Sequence, residues 1–98
     1  MAQTFHFGPY LFSSFEGLAP GASASWSFGP FDWDACAIAV TAYPAAHRLI
    51  GDRAVAVSDI QVQIVATGAG DTELLNCTVR NVGRDATNYS IWIGGTKP

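Results

Sequence analysis

Apolar and polar positions alternate with a period of two along most of the chain, and no stretch carries the 3.6-residue spacing of a helix of ordinary length. Phe5 and Phe7 flank His6, and the pattern breaks at Gly8-Pro9 before Tyr10 and Phe12 resume it. A loop is expected from Gly17 to Ala22. After it, Ala24, Trp26 and Phe28 face one way and Ser23, Ser25 and Ser27 the other, which describes a half-buried strand stopped by Gly29-Pro30. Cys36 to Tyr43 reads as a strand of small and β-branched residues ended by Pro44, and Ala45 to Asp52 as a loop or a short helical turn.

From Arg53 to Thr67 the pattern changes phase. Val55 and Val57 share one face, whereas Ile60, Val62 and Ile64 share the opposite one. A one-residue slip exchanges the two faces of a strand, so the flip at Ser58-Asp59 predicts a bulge, a kink or a crossing between sheets. Gly68 to Asp71 is a turn. Leu75, Cys77 and Val79 then point inward, with Asn76, Thr78 and Arg80 outward. Asn81 to Asn88 is rich in turn formers, and Tyr89, Ile91 and Ile93 alternate with Ser90 and Trp92 up to Gly94-Gly95. Strands at this spacing predict one all-β domain over 1–98, an immunoglobulin-like antiparallel β-sandwich of six to eight strands.

Composition narrows the partners. With 49% apolar and 13% charged residues, the chain is poor in charge against an ordinary share of about 25%. A 98-residue chain buries a modest core, and so few charges leave apolar area exposed. A homo-oligomer or a protein partner is therefore expected. Four scattered arginines, one lysine and a net charge of −3 argue against nucleic acid. No apolar run approaches the roughly 20 residues of a membrane-spanning helix. Met1-Ala2-Gln3-Thr4 has neither the basic nor the apolar region of a signal peptide, which fits a cytosolic protein or a mature fragment without its leader. Cys36 and Cys77 are either one disulfide or two buried thiols, and two Cys and two His at unrelated spacings make no zinc site.

The stretch Cys77-Thr78-Val79-Arg80-Asn81-Val82-Gly83, followed by Tyr89-Ser90-Ile91, resembles the V-x-N-x-G…Y-x-V hairpin of immunoglobulin-like modules. It is similar to the CARDB-type and fibronectin-like accessory domains of bacterial surface and secreted proteins. The resemblance implies that Asn81 and Gly83 end one strand and that Tyr89 opens the next by packing into the core. It covers about a quarter of the chain and carries no ligand with it.

Trp92 is the foremost candidate for binding. Its neighbours Ile91 and Ile93 take the core phase, so its ring belongs on the outward face. If the last two strands pair as a hairpin, Trp92 shares that face with Asn76, Thr78 and Arg80. An aromatic plane beside amide and guanidinium groups suits a sugar; it equally suits a protein interface or packing under a loop. Gln61 and Gln63 form a second outward polar row, either ordinary solvated residues, which is the favoured reading, or part of the same face. Asp32-Trp33-Asp34 offers a second aromatic platform at Trp33, but its two carboxylates fall short of the six to eight oxygens calcium takes. Asn76-Cys77-Thr78 and Asn88-Tyr89-Ser90 match the glycosylation pattern without a leader to give it meaning.

Only His6 and His47 are available as neutral-pH bases, and neither sits in a motif with a nucleophile. No nucleophile elbow and no phosphate-cradling glycine motif occurs, so no catalytic residue and no cofactor is expected. The residues thus point to a non-catalytic module that self-associates or docks to a protein. The alternative is a small carbohydrate-binding module or lectin using Trp92 or Trp33. A third reading is a secreted inhibitor presenting Phe31 to Ala35.

Overall fold

The computed structural model describes residues 3–29, 37–45 and 50–97. Six strands run through them: β1 (Gln3–Phe12), β2 (Ser23–Phe28), β3 (Ala37–Pro44), β4 (Val55–Thr67), β5 (Gly70–Asn81) and β6 (Tyr89–Lys97). They form two antiparallel three-stranded sheets, ordered β1-β6-β3 and β2-β5-β4. The all-β, two-sheet architecture is the one that the alternation predicts. Its order is nested, the first strand beside the last and the second beside the fifth, whereas a constant-type immunoglobulin domain puts its first two strands side by side. The nesting refines the immunoglobulin-like expectation and is the wrapping of a jelly roll.

The last two strands, β5 and β6, do not pair as a hairpin. They are the central strands of opposite sheets. Each carries one apolar row, Leu75, Cys77 and Val79 on β5 and Tyr89, Ile91 and Ile93 on β6, and all six side chains are buried. Face to face, the two rows remove each other from water. Side by side in one sheet, both would need a further layer to cover them. Phe28 and Leu18 complete the core, and Trp26 spans the sheets by donating its indole N–H to the Tyr89 hydroxyl at 2.8 Å. Ring contacts between Tyr10 and Phe28 (4.7 Å) and between Trp26 and Tyr89 (6.2 Å) also cross the interface.

The phase flip at Ser58-Asp59 is a bulge. Ser58 stands opposite Thr78 and Gln61 opposite Asn76, so Asp59 and Ile60 share the place facing Cys77. Asp59 takes the left-handed conformation (φ 53°), which Asp tolerates better than a β-branched residue does. No crossing between sheets occurs, because β4 pairs with β5 on both sides of the bulge. A second bulge lets β1 run straight through the break expected at Gly8-Pro9. Phe7 faces Ile93 and Tyr10 faces Ile91. Gly8 has φ 121°, and a Cβ there would meet the Ile91 carbonyl oxygen at 2.7 Å, so this position requires glycine.

Ile60, Val62 and Ile64 keep the inward phase, with Val62 opposite the buried Leu75, yet they are 48%, 44% and 60% exposed. The third strand of their sheet, β2, ends at Phe28, also opposite Leu75. Among the described residues, the β4–β5 hairpin beyond that point is a ribbon two strands wide.

Asn81 anchors the crossing from β5 to β6. Its fully buried amide donates to the carbonyls of Leu18 and Asp85, both at 2.8 Å, and its side-chain oxygen accepts from Gly83 N–H at 2.8 Å. Gly83 fits because a Cβ there would lie 2.6 Å from the Asp52 carbonyl oxygen. Leu18 and Thr87 exchange backbone hydrogen bonds beside this amide. Replacing Asn81 by Ala removes three hydrogen bonds at a site closed to water, with an expected loss of about 2–4 kcal/mol. Urea unfolding measures it, and the exposed neighbour Val82→Ala, within about 0.5 kcal/mol of wild type, is the control.

Candidate functional site

The two outer faces of the sandwich differ in chemistry. On the outer face of β2-β5-β4, Ser23, Ser25 and Ser27 stand opposite Arg80, Thr78 and Asn76. The Ser27 hydroxyl donates to the Asn76 side-chain oxygen at 2.7 Å, and the Asn76 amide donates to the Gln63 side-chain oxygen at 2.9 Å. Gln63 therefore belongs to a hydrogen-bonded row across three strands. Ser27, Asn76 and Gln63 thus bond one another, and the row carries no aromatic ring.

The outer face of β1-β6-β3 holds the aromatic residues. Trp92 lies opposite Thr41 on β3, and the His6 ring of β1 is 6.2 Å from the indole. One step along β6, Ser90 is flanked by Leu11 on one side and Tyr43 on the other. Leu11 is 67% exposed, Tyr43 56% and Trp92 36%. A shallow open depression of about 280 Å³ continues the face, lined by Leu11, Ser13, Ala45, Asn88, Tyr89 and Ser90. Asn88, in its lining, accepts from Ser14 N–H at 2.9 Å and donates to the Ser14 carbonyl at 3.1 Å.

The expected grouping of Trp92 with Asn76, Thr78 and Arg80 is therefore divided. Trp92 sits on one outer face and the other three on the opposite face, because β5 and β6 belong to different sheets. Trp92 has instead Thr41, His6, Tyr43 and Leu11 on its own face. Tyr43 and Thr41 alternate with Val40 and Ala42, so their outward phase is visible in the sequence. Their adjacency to Trp92 comes only from the pairing of β3 with β6.

Trp33, Cys36, His47 and the pair Asp32 and Asp34 lie outside the described residues, as does the stretch from Phe31 to Ala35. Cys77 is a free, buried thiol in the core; its proposed disulfide partner Cys36 is among the residues not described. Among the described residues no three His, Cys, Asp or Glu side chains gather as a metal site would require. No helix among them is long and apolar enough to cross a membrane. The ion pair Arg84–Asp52, 3.9 Å apart and largely in water, contributes little. In comparisons with known proteins, no family model, curated protein or solved structure matches the chain.

Burial raises the pKa of the Cys77 thiol above its ordinary value of 9.0. Burial also raises that of Tyr89, where the hydrogen bond from Trp26 opposes the shift and the nearby Cys77 adds to it. Both groups hold their protons more tightly folded than unfolded. Their contribution is complete below the unfolded pKa and is lost as pH rises through the folded one. Unfolding midpoints should thus stay level up to the ordinary thiol range and fall as pH climbs beyond 9.0, with a shallower fall in Cys77→Ala. A midpoint independent of pH in that alkaline range contradicts the buried placement of both groups.

Proposed function

We propose that the chain is a non-catalytic interaction module that docks to protein surfaces, its own or a partner's, through the outer face of β1-β6-β3. The observation that carries this is the cluster of Trp92, Tyr43 and Leu11 standing exposed on a face with no Lys, Arg, Asp or Glu among the residues named on it. Aromatic residues are enriched and most charged ones depleted in the cores of interfaces, and Trp and Tyr are the commonest anchors. Strand pairing on both sides of β6 holds the cluster on a rigid platform, which limits the entropy lost on binding. The similarity of the Cys77–Gly83 and Tyr89–Ile91 stretches to accessory domains is in keeping with a module of this kind.

A sugar ligand is the second reading, favoured by the His6 ring and the Thr41 hydroxyl beside the Trp92 indole. In that arrangement the indole stacks on the apolar face of a pyranose while the neighbours hydrogen-bond to its hydroxyls. The two readings part on the ligand. Light scattering over a concentration series and a glycan array are run on wild type, Trp92→Ala and Tyr43→Ala. An anchor of this type is worth about 2 kcal/mol, or roughly 30-fold in affinity, on truncation. Protein association weakened to that degree in both variants supports protein docking. A glycan signal abolished by Trp92→Ala transfers the face to sugar binding. If every measured association survives both substitutions, the face is not the binding surface.

A further inference from the structure

A second surface lies at the edge of the other sheet. β4 is the last strand of β2-β5-β4, and among the described residues its ladder is made with β5 alone. Exposed edge strands are normally blunted by lysine, proline, an inward charge or a bulge, because their free N–H and C=O groups template the addition of another strand. On β4 the bulge at Asp59 stands just before Ile60. From Ile60 to Gly70 there is no charged residue and no proline, and Ile60, Val62, Ile64 and Val65 are exposed.

The order of residues within this edge selects the partner. Ile60-Gln61-Val62-Gln63-Ile64 reads the same in both directions. When two such strands meet antiparallel about a two-fold axis at Val62, Ile60 faces Ile64 of the second copy and Gln61 faces its Gln63. Val62 faces Val62. Every opposed pair is apolar with apolar or amide with amide, and opposed residues project from the same face of a sheet. Moving the axis by one residue to Gln63 sets Gln61 against Val65 and breaks the match. Charge agrees with this: on a chain of net charge −3, a neutral edge is a place where two copies meet without repulsion, and it offers a charged partner nothing to pair with.

We infer that β4 pairs with β4 of a second copy through Ile60–Ile64, joining two three-stranded sheets into one of six. This contact is isologous, so it closes at a dimer. It adds a defined self-association to the interaction module proposed above and uses a different surface from Trp92. Five residues a side is far below the roughly 20–30 of a stable interface, so the dimer is reversible and concentration-dependent.

The register makes a discriminating test available. Sedimentation velocity over a concentration series is run on wild type, on Gln61→Lys with Gln63→Lys, and on Gln61→Glu with Gln63→Lys. The first double variant puts like charges opposite each other twice across the two-fold. The second puts opposite charges there, while both lose the same Gln63 contact with Asn76. Expected is a monomer–dimer equilibrium in wild type, weakened at least tenfold by the Lys/Lys pair and recovered by the Glu/Lys pair, with circular dichroism unchanged in both. A wild type that stays monomeric at the highest concentration, or two double variants that associate alike, overturns the inference. Trp92→Ala, run alongside, separates the two surfaces: a dimer lost in Trp92→Ala and retained with Lys/Lys overturns the edge pairing and leaves the aromatic face standing. A dimer lost only with Lys/Lys supports the edge.

Discussion

The buried amide of Asn81 stands at the point on which the sandwich turns. It is where the chain leaves the centre of one sheet for the centre of the other, and its side chain ties the strand end to Leu18, Gly83 and Asp85. An amide closed off from water is stable only when its donors and acceptor are all met, and here both are. Because that crossing is held, β5 and β6 lie face to face rather than side by side. Their two apolar rows then become one core.

With the central strands placed, the four edge strands follow. β1 and β3 flank β6, and β2 and β4 flank β5. Two bulges adjust the fit, one in β1 beside Gly8 and one in β4 at Asp59, and each resets the inward phase of its strand without ending it. The ribbon beyond Leu75 is the part that the second sheet and β2 do not fully cover. Ile64 lies in it, and Val62 and Ile60 come just before; all three keep the inward phase and stay partly in water.

The same crossing divides the functional surface. Residues that are outward on β5 and outward on β6 end on opposite sides of the molecule, one side hydroxyl and amide, the other aromatic. On the polar face Ser27, Asn76 and Gln63 hydrogen-bond to one another. The aromatic face differs: Trp92, Tyr43 and Leu11 keep apolar area in water.

Much of the fold was legible in the chain. Alternation alone assigned the inward rows of Trp26 and Phe28, of Leu75 to Val79 and of Tyr89 to Ile93, because each side chain's face follows from a backbone period of two. The same reasoning located the phase flip at Ser58-Asp59, and the pairing of β4 with β5 on both sides of it made it a bulge rather than a crossing between sheets. The outward position of Trp92 followed in the same way. Its neighbours did not. Which strands pair is decided by burying two apolar rows against each other across many residues of separation, and a local period carries no information about that choice. Hence the expected company of Asn76, Thr78 and Arg80 gave way to Thr41, His6 and Tyr43, and the exposure of Ile60, Val62 and Ile64 appeared only in the tertiary structure. Periodicity determined which way each side chain points; only the packing of the two sheets decided what it meets there.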